Sequence, residues 1–221
     1  MPVIPDLFEA PHQLLPLAVP DADLHFMHGF YPPQECAALF AELMQQTPWR
    51  QERIEVWGKV HEQPRLTSWH GNPGTDYTYS ALTLATRPWT PVLSRLRQDV
   101  EAATGHRYNS VLLNLYRDQR DSVGWHSDNE RELGRAPVIA SLSLGETRSF
   151  RLRHRERRHA PVDIRLTDGS LLLMAGDTQR NWQHAIPKEA RDKGPRINLT
   201  FRSIAVAHPG SLQGPAANTP D

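Results

Sequence analysis

In "GWHSDNERE" a histidine and an aspartate, His126 and Asp128, stand two residues apart just after the apolar run "NSVLLNLY". Side chains at i and i+2 of an extended segment point the same way. The pair therefore reads either as a surface ion pair or as two of three ligands to a metal. In a chain with 11 histidines, a lone H-x-D does not choose between them. A third ligand would. Two histidines and one carboxylate on one face of an iron(II) leave positions open for substrate and dioxygen. His184 in "NWQHAIP" is placed to supply it, provided a jelly roll returns that stretch beside His126. His154 and His159 lie in an arginine-rich stretch that would repel a cation. His12, His25, His28, His61, His70, His106 and His208 fall outside the strand-rich core.

A second pattern lies in "PRINLTFR". On a strand, Ile197, Leu199 and Phe201 share one face and make a core surface. Arg196, Asn198, Thr200 and Arg202 share the other, a row of hydrogen-bond donors with two permanent charges. Either the arginines face solvent, or they point into a barrel and need an anionic partner. A dicarboxylate suits the second case, because guanidinium forks grip carboxylates bidentately. Asn114 and Tyr116 in "LLNLY" are also i and i+2 and can reach the same ligand; otherwise they are a turn residue and an ordinary strand aromatic.

The elements that must position these groups follow from texture. Residues 1–30 are proline-rich and read as an irregular arm. "YPPQECAALFAELMQQTPW" predicts a helix with Leu39, Phe40, Leu43 and Met44 at helical spacing. "TPVLSRLRQDVEAATG" predicts another, buried through Leu93, Leu96 and Val100 and stopped by Gly105. Beyond Asn109, "SVLLNLY", "PVIASLSLG", "RSFRLRHR", "VDIRLT", "GSLLLMAG" and "PRINLTFRSI" predict short strands. Helices before strands give an α+β domain over residues 31–205 whose second half is a β-sandwich or jelly roll. Residues 206–221 are small and polar and read as a disordered tail.

Composition limits the function classes. At 221 residues the chain suits one domain, and 25 basic residues balance 25 acidic ones, so no overall field advertises a polyanionic partner. The start lacks a basic n-region and a continuous apolar stretch, which argues against a signal peptide. No run reaches membrane-spanning length. One cysteine, Cys36, excludes an internal disulfide and a cysteine-rich zinc cluster. A G-x-S-x-G elbow, a phosphate-binding glycine loop and zinc-deaminase cysteines are all missing. The expectation is a cytoplasmic monomer with no membrane attachment.

Four ordered motifs, "NSVLLNLY", "GWHSDNERELGRAPVIASLSLG", "GSLLLMAG…NWQHAIP" and "PRINLTFR", resemble the AlkB family of iron(II)- and 2-oxoglutarate-dependent nucleic-acid dealkylases. The resemblance runs from about Arg53 to Arg202. "IEVWGKVHEQPR" and "TDYTYSALTLATRPWTPVL" are similar to the substrate-recognition region of the DNA-repair branch, at about residues 50–85. It implies a double-stranded β-helix core with N-terminal helices and a substrate-recognition hairpin region. It implies iron ligands His126, Asp128 and His184. Asn114, Tyr116, Arg196, Thr200 and Arg202 would be 2-oxoglutarate contacts, and Asn198 completes that row. Arg196 would clamp the distal carboxylate, with Arg202 nearer the chelating end.

The implied chemistry is oxidative decarboxylation of 2-oxoglutarate with dioxygen, ascorbate serving as reductant. An N-methyl carbon on 1-methyladenine or 3-methylcytosine is hydroxylated, and formaldehyde leaves the restored base. Reaching a base in duplex DNA requires flipping it and filling the gap. Trp57, with Gly58 and Lys59, is either that wedge or a core strand residue. Tyr77 and Tyr79, flanking Thr78, either contact the flipped base or face the core. "RSFRLRHRERRH" holds six arginines; Arg151, Arg153 and Arg155 either follow a phosphate backbone or form a solvated face. Asn129 stands where relatives often carry a second acid, with Glu130 still nearby, which leaves the choice among methylated bases open. The same iron chemistry acting on RNA or on a small molecule, and a non-catalytic nucleic-acid-binding module on the same fold, are the alternatives.

Overall fold

The computed structural model describes residues 13–56, 58–79 and 82–205, without the side chains of residues 54–56, 59, 77–79, 82 and 83. The start of the proposed arm, the tail from 206 and Trp57 lie outside the described residues.

The chain begins with β1 (Leu15–Pro16), β2 (Asp23–Met27), α1 (Pro33–Gln46), the hairpin β3 (Arg53–Val56) and β4 (Lys59–Glu62), and β5 (Leu66–Gly71). A second hairpin, β6 (Tyr77–Tyr79) and β7 (Leu82–Leu84), precedes α2 (Pro91–Thr104). Then come β8 (Ser110–Tyr116), β9 (Val123–His126), β10 (Ile139–Gly145), β11 (Arg148–His154), β12 (Val162–Leu166) and β13 (Leu171–Ala175). A single turn, α3 (Thr178–Asn181), leads into β14 (Trp182–Ile186) and finally β15 (Arg196–Arg202).

The long strands form two antiparallel sheets, ordered β1-β2-β13-β10-β15-β8-β5 and β12-β11-β14-β9. From β8 onward, successive strands cross from one sheet to the other except at the β11–β12 hairpin, the pattern of a jelly roll. Period-two patterning decides which side chain goes where. Ala140, Leu142 and Leu144 of β10 join Ile197, Leu199 and Phe201 of β15 under the two helices. Ile139, Leu172 and Met174 face inward and meet Phe150, Leu152, Leu166 and Trp182 of the smaller sheet. The inter-sheet space is thus packed at one end, and the polar row of β15 faces what remains.

Both predicted helices form. Thr90 Oγ1 accepts from Leu93 N at the start of α2, and Gly105 ends it with φ +73°. In α1 the buried stripe is Cys36, Leu39 and Leu43; Met44 turns outward and is 37% exposed. Three expectations need correction. The arm is not irregular throughout, because β2 pairs with β13 along its whole length, Phe26 opposite Leu172, and supplies Leu24 and Phe26 to the core. Proline-rich flanks hid a five-residue strand that tertiary pairing creates. Helices do not all precede strands, since β5 completes the larger sheet beside β8. Consequently His25 and His70 lie within the larger sheet, and the buried His70 donates Nδ1 to Pro88 O while Nε2 accepts from Ser68 Oγ.

At the end of β10, opposite Arg196, the chain turns at Gly145 with φ +88°. A Cβ there would lie 2.6 Å from Pro195 O and 2.8 Å from Phe40 Cε2. Gly145→Ala combines a left-handed backbone with a clash against backbone, and is expected to cost about 2–4 kcal/mol. Denaturant titration checks this; an unchanged midpoint would mean that the turn relaxes freely.

Candidate metal and co-substrate site

β14 runs beside β9 with His184 directly opposite His126. That pairing brings the third imidazole to the H-x-D segment. His126 Nε2 lies 3.9 Å from Asp128 Oδ1, and His184 Nε2 lies 4.0 Å from Asp128 Oδ2. All three ligand atoms fall within 4.8 Å of one another. Coordination at about 2.0–2.2 Å from each would draw these three atoms closer together.

The surroundings fix the ligand atoms. His126 Nδ1 is 2.8 Å from Gly124 O. Donation there assigns the proton to Nδ1 and leaves the Nε2 lone pair toward Asp128. His184 stacks on Phe150 at 5.0 Å between ring centres. The amide of Asp128 donates to Gln179 Oε1 at 2.9 Å, and Ser127 Oγ donates to Trp182 O at 2.7 Å. Burial, then the repulsion a protonated His126 would exert, pushes His184 down to about 3, and burial likewise lowers His126. Both imidazoles are therefore neutral and available as ligands near neutral pH. For Asp128 burial works in the opposite direction, but the Arg202 guanidinium and then the two imidazoles outweigh it, holding the carboxyl at about 2. Arg202 Nη2 donates to Asp128 Oδ1 at 3.1 Å. The site thus offers two neutral nitrogens and one carboxylate, the donor set for iron(II).

The same cavity collects the polar row. Asn114, Tyr116, Arg196, Asn198, Thr200 and Arg202 line it together with the three candidate ligands. β15 places Arg196 opposite Tyr116 and Asn198 opposite Asn114. Asn198 Nδ2 donates to Ser141 Oγ and to Leu142 O, and Thr200 Oγ1 donates to Asn198 Oδ1, so the middle of the row is tied to β10. Arg196 is different. It is 1% exposed, and Nη2 donates to Ser143 Oγ at 2.9 Å, while Nε and Nη1 have no hydrogen-bond partner among the described residues. Burial lowers its guanidinium to about 10. A buried cation with unmatched donors requires an anion. A carboxylate end of 2-oxoglutarate fits that requirement.

Several participants escaped the sequence reading. Arg65 is 7% exposed, lines the cavity and donates Nε to Asn114 Oδ1 at 2.8 Å. It stands in the hairpin-bordering stretch "EQPR", but nothing local announces that β5 lies against β8. Arg148 is fully buried and donates to Asp118 O, Asp121 O, Pro187 O and Glu189 Oε1. Its guanidinium sits 5.4 Å from the Tyr116 ring, with Arg196 at 5.3 Å from the same ring. Gln179 carried no signal in the sequence.

The nucleic-acid candidates sit elsewhere. Asn129 is exposed and Glu130 half-buried beyond the ligand loop. Trp57 lies outside the described residues; its neighbour Gly58 has φ +71°, and Val56 pairs with Lys59 across the turn. Tyr77, Thr78 and Tyr79 lie on β6, paired with β7, with side chains undescribed. Arg151, Arg153 and Arg155 point away from the cavity on the outer face of the smaller sheet, Arg155 just past the end of β11. Arg151 pairs with Asp163 at 3.4 Å. His154 and His159 do gather with an acid, Asp21, within 4.8 Å. However, Glu156 N donates to His154 Nδ1, which keeps the His154 proton on the nitrogen facing Asp21. That group is a hydrogen-bonded staple built on His159 Nε2 and Asp21, 2.9 Å apart.

The 2OG-Fe(II) oxygenase superfamily matches residues 23–202, from β2 to the end of β15. The alpha-ketoglutarate-dependent dioxygenase alkB homolog 3 of Bos taurus is 44% identical over 189 residues, covering 80% of this chain and 64% of that protein. The chain therefore spans just under two thirds of that relative. The DNA oxidative demethylase ALKBH2 of Mus musculus is 41% identical over 180 residues, covering 77% of this chain and 75% of that protein. The solved structure of OsALKBH1 superposes with a TM-score of 0.58 at 15% identity, covering 81% of this chain and 96% of that one, which shows a shared fold. On the superfamily match and the relatives above 40% identity, the chain belongs to the 2OG-Fe(II) oxygenase superfamily, in its AlkB branch.

Proposed function

We propose that this chain is an iron(II)- and 2-oxoglutarate-dependent dioxygenase that demethylates N-alkylated bases such as 1-methyladenine and 3-methylcytosine in DNA, acting as a monomer. The observation that carries the enzymatic reading is one cavity holding both a two-histidine, one-carboxylate face and a buried guanidinium with unmatched donors. The DNA oxidative demethylases among its relatives support the substrate class. Among the described residues no helix is long and apolar enough to cross a membrane.

Bound iron(II) and 2-oxoglutarate, with dioxygen, would supply oxidation of the N-methyl carbon, giving succinate, carbon dioxide and, from the base, formaldehyde. The chain's own work is positioning. His126, Asp128 and His184 would hold the metal, and Arg202 keeps Asp128 ionised for that purpose. Arg196 and Ser143 would bind the distal carboxylate. Phe150, Leu166, Met174 and Ile186 line the cavity beside the metal face and exclude water from it. For the nucleic acid, Trp57 with Gly58 and Lys59 is assigned the wedge. Tyr77, Thr78 and Tyr79, with Asn129 and Glu130, are assigned the target base, and Arg151, Arg153 and Arg155 the phosphates.

Matched oligonucleotides carrying 3-methylcytosine, incubated with iron(II), 2-oxoglutarate and ascorbate, are expected to release formaldehyde in step with base restoration on DNA. RNA run beside them tests the alternative substrate. Consumption of 2-oxoglutarate with no restoration on any strand would overturn the substrate assignment and leave the site standing. His126→Ala is expected to abolish both restoration and metal binding; full turnover in that variant would remove His126 from the ligand set.

Arg196→Met should weaken 2-oxoglutarate binding to the Mn(II)-loaded protein about 100-fold, since charged hydrogen bonds contribute about 1.5–3 kcal/mol each. Without ligand its unfolding temperature should hold or rise, because an uncompensated buried cation disappears. Calorimetry reads both; unchanged 2-oxoglutarate affinity would move the carboxylate elsewhere.

A further inference from the structure

Resting on the nucleic-acid reading above, we infer that Trp125 and Arg153 form a second nucleotide-holding surface, on which an unpaired base beside the target nucleotide stacks. Trp125 precedes the ligand His126 on β9, at the edge of the smaller sheet. Alternation sends His126 into the cavity and Trp125 out of it, where 38% of Trp125 stays exposed. A large aromatic in that position is not explained by the core: it belongs to none of the buried apolar clusters among the described residues.

The ring is held for use. The Arg153 guanidinium lies 4.4 Å from the ring centre of Trp125, and its Nε donates to Gln183 Oε1 at 2.9 Å. Those two contacts orient the arginine and leave its terminal nitrogens for an anion. Among the described residues neither Arg153 nor Arg155 pairs with a carboxylate, whereas Arg151 has Asp163. Arg155 Nη2 donates to Ser127 Oγ, on the residue between the two ligands of the H-x-D segment. The uncompensated positive strip therefore runs beside an exposed indole and ends at the metal loop.

Phosphate supplies the negative charge that this strip lacks, and a base supplies the flat partner for the ring. A base inside a duplex already stacks on both sides, so the indole selects for a strand that is unpaired at that position. Stacking tolerates every base, which lets the surface hold the strand without reading its sequence.

Fluorescence anisotropy with the full chain tests this, using a labelled single-stranded oligonucleotide carrying one 3-methylcytosine, and its blunt duplex. Trp125→Leu, which keeps apolar bulk but no π face, should weaken single-strand binding about tenfold. It should change duplex binding much less, and Trp125→Phe should recover most of the loss. Turnover of the free methylated mononucleotide should be unchanged in Trp125→Leu. Arg153→Gln should lower the salt slope of single-strand binding by about one. Equal loss on single strand and duplex, or wild-type affinity in Trp125→Leu, would overturn the stacking surface. Absence of restoration by the wild-type chain on any strand would instead strike the demethylase reading itself.

Discussion

Strand β15 has no free face. Ile197, Leu199 and Phe201 are 0% exposed beneath the helices, and Arg196, Asn198, Thr200 and Arg202 are buried at 1–7% on the other side. Two cations inside a protein are tolerable only if anions meet them. Asp128 answers Arg202 from the metal loop. For Arg196 the described residues supply Ser143 and the Tyr116 ring but no acid. That imbalance leaves a buried cation with unmatched donors facing the cavity, which is why we propose that a dicarboxylate binds there.

The arrangement depends on how the neighbours of β15 are held. β8 flanks it over its full length and β10 from Arg196 to Phe201, so the register that puts Arg196 opposite Tyr116 is secured on both sides. Arg148 then anchors the closed end. It satisfies three backbone carbonyls and Glu189 while lying over the face of Tyr116. Arg148 and Arg196 thus both lie against the Tyr116 ring, at 5.4 and 5.3 Å from its centre. Glu189 and Lys193, 3.7 Å apart, continue this network toward Glu146 near the Gly145 turn.

The metal face shows the same division between a ligand and what orients it. His126 and His184 come from facing positions on adjacent strands, and Asp128 hangs from the loop that leaves β9. Gln179, on the single helical turn α3, holds the Asp128 amide, and Ser127 ties the loop to β14. The outer face of the same small sheet carries arginines. One strand, β9, therefore serves metal on one side and presents Trp125 to solvent on the other, because alternate residues of a strand face opposite ways.

Much of this was legible from residue types and spacing. The H-x-D pair, the alternating "PRINLTFR" and the helical stripes of Leu39/Leu43 and Leu93/Leu96/Val100 each carry a period that local geometry enforces. The run of short strands was enough to expect a β-sandwich or jelly roll, and the resemblance of the ordered motifs to the AlkB family implied the dioxygenase. What spacing could not supply is pairing between distant strands. The insertion of β2 beside β13, the placement of β5 against β8 that delivers Arg65 to the cavity, and the meeting of His184 with His126 are long-range events. Nothing in "DLHFM" or "LTSWHG" states its partner, because backbone hydrogen bonds carry no residue identity. The sequence by itself determined which side chains could bind a metal and a dicarboxylate. Only the tertiary structure decided that Arg196 would be left with unmatched donors, since that depends on which acids the completed fold places out of its reach.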